Sequence, residues 1–264
     1  MKRLGTVAPR GCYWKLAMPS GWDFYTGKTI NYREAIGKEV SPPGAPGTQL
    51  CGPGLIHASK NPNDCFVGAH IPCAAFLIKG KPAVKSKEKC GFHRATILEE
   101  ITDLDGLFGW RYSEVVSPIH PFKIERGSVT PEEVALLDKW DSVRASVRAS
   151  VWASVWDSVR ASVRASVWAS VGDSVWDSVG DSVGDSVGDS VGDSVWDSVG
   201  DSVGDSVGDS VGAYIGSLFP IWDGKYPYQE AVDLWRAGLV ASFDGKTWRL
   251  HVGPGGQIVY TRVN

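Results

Sequence analysis

A tetrapeptide repeats without interruption through the middle of this chain and limits what that part can fold into. Residues 141–212 consist of eighteen consecutive copies in which the second and third residues are always Ser and Val. The first residue is Asp or Ala, and the fourth is Arg, Trp or Gly. Because side chains alternate along an extended strand, an even period places every Val on one side of the chain. The repeat therefore predicts a structure with Val inside and the variable residues outside.

Two regular structures and one irregular one compete for this segment. In an α-helix each residue turns about 100°, so a period of four moves Val by about 40° per repeat and builds no fixed apolar face. Ser, Asp and Gly also form helices poorly, and Gly fills most fourth positions from Gly172 onward. A bend at each tetrapeptide would instead close extended chain into a narrow coil. We expect a β-solenoid rod; the alternatives are disorder or a long helix that does not survive the Gly-rich second half.

Globular sequence flanks the repeat on both sides. We expect an α+β globular module first, then a capped linker helix, the repeat, and a small α+β cap that covers the end of the repeat. The predicted boundaries are residues 1–127, 128–140, 141–212 and 213–264. In the linker, Thr130 is the expected N-cap, Pro131 opens the helix and Glu133 completes a capping box.

Short apolar runs predict the strands of the two modules. In the first module these runs are Tyr13–Ala17, Asp23–Tyr25, Cys73–Lys79 and Ala95–Ile101. The stretch SPPGAPGTQLCGPG at 41–54 predicts a loop, because Pro and Gly occupy too many of its positions for a regular element. In the last module, 227–237 predicts an amphipathic helix with Val232 and Trp235 inward, followed by a three-stranded meander.

Charge is distributed unevenly along the chain. The net charge is −3, but the repeat holds twelve Asp and four Arg and so carries −8, which leaves +5 on the remainder. All four Arg lie in the first half of the repeat, whereas the second half, after Val171, has ten Asp and no basic residue. The repeat is therefore basic and Trp-containing at its start and acidic at its end.

The variable side chains of the repeat are the candidate interaction residues. They are Arg144, Arg148, Trp152, Trp156, Arg160, Arg164, Trp168, Asp181, Asp185, Asp189, Asp201 and Asp205. One expected partner is another copy of the chain, bound head to tail with its basic half against the acidic half, which would propagate into a filament. The other is a basic DNA-binding protein, because an all-Asp coil would carry a charge about every 1.2 Å, close to the spacing of about 1.7 Å in duplex DNA. Direct nucleic-acid binding by the acidic half is not expected.

Cysteine and histidine residues offer a candidate metal site in the first module. Five Cys, an odd number, all lie in the first third of the chain, which predicts reduced thiols. His70 with Cys73 and Cys90 with His93 form two ligand-like pairs whose spacing is similar to that of a zinc ribbon. No cofactor is predicted. We expect a cytoplasmic protein without membrane contact, because the sequence shows no signal peptide and no transmembrane segment.

Catalytic motifs are few. GDSVG matches the nucleophile elbow of α/β-hydrolases, but a tandem repeat has no unique strand-to-helix turn that would expose one Ser. His57 and His93 are the candidate catalytic residues, and both lie in the first module.

Residues 50–101, which include the Gly-Leu-Ile-His stretch ending at His57, resemble an N-terminal module of phage and bacterial proteins that precedes short tandem repeats. The resemblance implies a phage or mobile-element origin and no known activity. The strand–helix–strand order of that module is also similar to ADP-ribosyl-transfer folds, which implies an NAD-dependent enzyme as the alternative function. The leading prediction is a non-enzymatic, elongated repeat protein for interaction or assembly.

Overall fold

The computed structural model describes residues 4–146, Val175, Val179, 193–220, Trp222 and 224–264. The chain forms two compact units, Met1–Val116 and Ser117–Asn264. Within the described ranges, no helix is long and apolar enough to cross a membrane.

The N-terminal unit is built on a four-stranded antiparallel sheet and a smaller three-stranded one. The larger sheet has the strand order β1-β4-β7-β2, and the smaller has the order β3-β6-β5. The strands are β1 (Cys12–Ala17), β2 (Glu39–Val40), β3 (Ile56–Ala58), β4 (Ala74–Lys79), β5 (Val84–Lys85), β6 (Cys90–Phe92) and β7 (Ala95–Ile101). Three of the four predicted strands, at β1, β4 and β7, are confirmed.

The predicted strand at Asp23–Tyr25 is wrong, because these residues form a turn. The Asp23 carboxylate accepts hydrogen bonds from the backbone N–H groups of Thr26, Thr29 and Ile30, at 2.7, 2.9 and 3.3 Å. A side chain that bonds the backbone of its own turn competes with strand pairing. The aromatic composition of the run indicated a strand, but the acid at its start decides the conformation.

Short helices complete the N-terminal unit. A 3-10 helix at Pro62–Val67 follows β3, and two short helices, α1 (Leu104–Phe108) and α2 (Tyr112–Val116), follow β7. The core lies between the two sheets and contains Tyr13, Tyr32, Phe76 and Phe92, all less than one-tenth exposed.

The C-terminal unit combines helices with an antiparallel meander. Its elements with described bounds are a 3-10 helix (Pro121–Lys123), α3 (Pro131–Val143), a second 3-10 helix (Arg144–Ser146), α4 (Asp193–Ser217), α5 (Gln229–Arg236), β8 (Val240–Phe243), β9 (Thr247–Val252) and β10 (Gln257–Val263). The capping box of Thr130 and Glu133 is present, and Val232 and Trp235 are buried as predicted. The predicted meander is confirmed, with the strand order β10-β9-β8.

The β-solenoid rod predicted for the repeat is wrong. Where the structure describes the Gly- and Asp-rich half, residues 193–212 lie in helix α4, and no solenoid coil occurs in the described residues. The expectation that a helix would not survive this half is also wrong. Intrinsic propensity is a weak determinant that packing overrides.

From Ser202 onward, helix α4 is stabilised by burial of most of its side chains. Val203, Val207 and Val211 are 4%, 1% and 1% exposed; a drift of about 40° per repeat keeps these three within one face. Ser206 and Ser210 are buried as well, and their hydroxyls donate to the carbonyls of Val203 and Ser206 at 2.9 and 3.2 Å. Small residues on the remaining positions let β8 and α5 pack closely against the helix.

Candidate functional site

The N-terminal unit contains a cavity of about 410 Å³. Strands β1 and β3 contribute to its wall, and so do the Asp23 turn, the Pro- and Gly-rich loop at 41–54, the segment 65–69, and Lys89. The volume is within the range of small-molecule sites. The cavity therefore has the size and the mixture of elements expected of a binding site.

The loop at 41–54 is held in place by the two histidines that the sequence offered as catalytic candidates. His57 Nε2 accepts a hydrogen bond from Cys51 N at 3.1 Å, and His93 Nε2 lies 2.8 Å from Gly47 O. The loop also folds onto itself, because Gly47 N donates to Gly54 O at 3.2 Å. A Cβ on Gly54, whose φ is +74°, would lie 2.2 Å from Ala45 O. Only glycine fits at that position.

Lys15 is the most unusual group on the cavity wall. It lies on β1 between Tyr13 and Ala17, which both point into the core, so strand alternation places the lysine on the same face. Its Nζ lies 5.2 Å from the ring centroid of Tyr32 and makes no hydrogen bond or ion pair with any described residue. Burial, with a small contribution from the charge of Lys89, lowers the pKa of Lys15 to about 8.

The other titratable groups around Lys15 leave the cavity without a free anion. Asp23 also lines the cavity, but its oxygens are occupied by the turn described above. Burial, assisted by the charges of Lys89 and Lys15, lowers the pKa of His57 to about 4, so its imidazole is neutral. Lys89 Nζ lies 3.5 Å from the thiol of Cys51, which is exposed on the loop. The cavity wall thus carries two lysines and one carboxylate, and the oxygens of that carboxylate already accept hydrogen bonds from its own turn.

A buried hydroxyl lies on the same wall beside a thiol. Ser59 is 1% exposed and lines the cavity, and its side chain interacts with the Cys65 thiol. Its backbone pairs with Trp14, the neighbour of Lys15 on β1. The Cys65 thiol donates to Trp14 O at 3.2 Å, and burial raises the pKa of this thiol to about 11. A thiol is a weak hydrogen-bond partner, so the Ser59 hydroxyl retains capacity for a stronger one.

The four zinc candidates do not converge in the structure. His70 packs edge-on against Phe24, with ring centroids 4.5 Å apart, and His93 contacts the loop at Gly47. Cys73 and Cys90 are buried in the N-terminal unit as free thiols. In the part of the chain that the structure describes, no three His, Cys, Asp or Glu side chains form a group that could hold a metal.

The interaction candidates in the repeat are described only at its ends. Arg144 NH1 lies 3.3 Å from the buried Asp209 carboxylate, and its guanidinium covers the rings of Phe243 and Trp248 at 5.4 Å each. Asp201 and Asp205 lie in α4, where Asp205 is exposed. The other nine candidates lie outside the described residues: Arg148, Trp152, Trp156, Arg160, Arg164, Trp168, Asp181, Asp185 and Asp189.

A Ser–His pair in the C-terminal unit has hydrogen-bond geometry but no access. Ser242 Oγ lies 2.7 Å from His251 Nε2, and His251 Nδ1 lies 2.8 Å from Gly256 O. Ser242 and His251 are both fully buried, so no substrate reaches the hydroxyl. The pair is structural.

Sequence reasoning missed Lys15, Ser59 and the cavity. The signal for Lys15 was present in the strand CYWKLA. Strand alternation places the lysine on the same inward face as the tyrosine two positions before it and the alanine two positions after it. Ser59 carried no signal, because its burial depends on pairing with a strand more than forty residues away. Comparison of the chain with protein-family models, with curated proteins and with solved structures gave no match.

Proposed function

We propose that the N-terminal unit binds a small organic anion in its cavity. The observation that carries the proposal is the ammonium group of Lys15, which faces the cavity without a hydrogen-bond acceptor among the described residues. A buried charge is costly unless it is paired, and an anionic ligand would supply the missing partner.

The composition of the wall favours an anion over a cation or a neutral ligand. Lys15 and Lys89 carry two positive charges, Asp23 carries one negative charge that its own turn occupies, and His57 is neutral. The Ser59 hydroxyl, whose partner is the weakly bonding Cys65 thiol, adds a neutral donor. Charge-assisted hydrogen bonds of this kind contribute about 1.5–3 kcal/mol each.

Calorimetric titration of the full chain tests the proposal. Oxalate is expected to bind, whereas oxamide, its uncharged counterpart of similar shape, is not. Lys15→Met is expected to weaken oxalate binding about ten- to a hundredfold, because one charge-assisted interaction is lost. Lys28→Met is the matched control, since Lys28 is exposed and does not line the cavity. Equal binding of oxalate and oxamide, or equal affinity of the Lys15 variant and the wild type, would contradict the proposal.

The pH dependence of binding provides a second readout. Because Lys15 loses its charge as the pH rises through about 8, oxalate affinity is expected to fall over that interval. In the Lys15→Met variant this part of the pH dependence should be absent.

The functions predicted from the repeat receive no support from the described residues. In a helix the Asp of successive tetrapeptides lie about 6 Å apart along the axis, far from the charge density of DNA. Head-to-tail assembly stays a prediction. An NAD-dependent enzyme also stays a prediction; the cavity contains His57, but no glutamate lines its described wall.

A further inference from the structure

The surroundings of the Lys15 amine differ from those of the Lys60 amine in the same unit. Lys60 Nζ donates to Pro9 O at 2.9 Å and to Cys12 O, and lies over the Tyr13 ring at 4.2 Å. These contacts fix the Lys60 side chain in place. Among the described residues no hydrogen-bond acceptor holds Lys15 Nζ, which lies 5.2 Å from the Tyr32 ring centroid, so its nitrogen is free to react with a molecule in the cavity.

A second cation and a hydroxyl accompany this amine. Lys89 lines the same cavity, and its charge makes a small contribution to the lowered pKa of Lys15, which burial mainly causes. A desolvated lysine beside another cation is the arrangement that enzymes use to form imines with carbonyl compounds. The buried Ser59 hydroxyl, whose partner among the described residues is the weakly bonding Cys65 thiol, is available to a polar oxygen of the ligand.

We infer that Lys15 forms an imine with a small 2-oxo acid whose carboxylate lies near Lys89. The inference rests on the proposed anion-binding function and specifies its ligand. Lys15 offers the only primary amine on the described wall besides Lys89, whose Nζ contacts the Cys51 thiol instead. A 2-oxo acid joins the carbonyl that an amine attacks to the anion that a second lysine binds.

The reaction balances without an oxidant or a reductant. The lone pair of the neutral Nζ forms a bond to the carbonyl carbon while the C=O π bond breaks, and one proton moves from nitrogen to oxygen. The resulting carbinolamine loses its oxygen as water together with a second nitrogen proton, which leaves a C=N bond. One amine and one carbonyl compound thus give one imine and one water.

The ionisation of Lys15 and its surroundings permit this step near neutral pH. With a pKa of about 8, roughly a quarter of Lys15 is neutral at pH 7.5, against about one in a thousand for a lysine of ordinary pKa. The titratable groups that face it are Asp23, Tyr32, Cys65, His57 and Lys89. Burial holds the pKa of Tyr32 and of Cys65 above its usual range, so both stay neutral.

Reductive trapping of the full chain tests the inference. Glyoxylate and cyanoborohydride are added, hydride adds to the imine carbon, and peptide mass mapping locates the product. The expected mass gain on Lys15 equals that of the 2-oxo acid less one oxygen atom. At pH 7.5, Lys15 should be labelled about tenfold faster than the exposed Lys28, because burial lowers the pKa of Lys15.

Variants and a parallel titration separate the possible outcomes. Lys89→Gln is expected to slow labelling of Lys15, while Lys28→Gln leaves it unchanged. Labelling of Lys15 no faster than of Lys28 would overturn the imine. If oxalate binding nevertheless depends on Lys15, the anion site stands and only the imine fails; if oxalate binding is absent too, both fail. Peptide mass mapping of the labelled wild-type protein does not depend on whether the variants fold. Circular dichroism verifies the folding of the variants.

Discussion

At the scale of single residues, position within a hydrogen-bond network determines what a titratable group can do. Lys60 and Lys15 belong to the same unit, yet backbone carbonyls hold the first, whereas no described residue accepts a hydrogen bond from the second. An unpaired, half-buried ammonium reduces the stability of the unit. Such a residue is expected where binding or chemistry benefits from it.

His251 is the opposite case, a buried imidazole with both nitrogens satisfied. Gly256 O accepts from Nδ1, so Nε2 is the acceptor of the Ser242 hydroxyl. Burial, with the charge of Arg249, lowers the pKa of His251 from 6.5 to about 4. The folded state therefore binds fewer protons than the unfolded state between these two values.

The C-terminal unit is expected to lose stability as the pH decreases, because of His251. Its contribution is complete above pH 6.5 and is lost as the pH decreases through about 4, which removes about 3 kcal/mol from the free energy of unfolding. Urea unfolding followed by tryptophan fluorescence measures this loss. His251→Asn should be less stable at pH 7 but lose about 3 kcal/mol less on acidification. Parallel pH dependences of wild type and variant would contradict the assignment.

At the scale of elements, identical tetrapeptides acquire different roles from their surroundings. Ser206 is fully buried; its hydroxyl donates to Val203 O and accepts from Phe243 N at 2.9 Å, which ties α4 to β8. Ser202 occupies the same place one repeat earlier and is only partly buried. Both positions carry Ser, and strand β8 forms a hydrogen bond with the one at position 206.

Substitution of these two serines separates packing from helix propensity. Ser206→Ala is expected to lower the free energy of unfolding by about 1–3 kcal/mol, because Phe243 N–H loses its acceptor. Ser202→Ala, the matched control, should change it by about 0.5 kcal/mol or less, since Ala favours the helix. Urea unfolding of both variants measures the difference. A larger loss for Ser202→Ala than for Ser206→Ala would show that α4 is packed differently.

Elements with strong local signals could be predicted, and elements defined by packing could not. The capping box at Thr130 and the meander of the last module depend on neighbouring residues, so the sequence indicates them directly. Helix α4 contains few good helix formers, and its stability comes from β8 and α5 around it. For the cavity, the loop at 41–54 was predicted, but its contact with His93 could not be, because His93 and Gly47 are 46 residues apart.

At the scale of the whole molecule, the two ends of the repeat meet within the C-terminal unit. Arg144, from the first tetrapeptide, pairs with Asp209 of the last one, and Arg262 of β10 pairs with Asp141 at 2.9 Å. The basic start and the acidic end of the repeat led us to predict contacts between copies of the chain. In the structure, these two ends pair within one chain.

The binding site and the repeat therefore lie in different units. The cavity belongs entirely to Met1–Val116, whereas both described ends of the repeat belong to Ser117–Asn264. A ligand test with the full chain reports on the first unit, and the stability tests above report on the second.

The titration of the Lys15 side chain in the full chain tests the central claim most directly. Nitrogen-detected NMR of the labelled Nζ gives its pKa with and without saturating oxalate. We predict a pKa near 8 for the free protein and a rise toward 10.5 with oxalate, because the anion stabilises the charged form. A pKa near 10.5 in the free protein, unchanged by oxalate, would contradict an unpaired lysine in an anion-binding cavity.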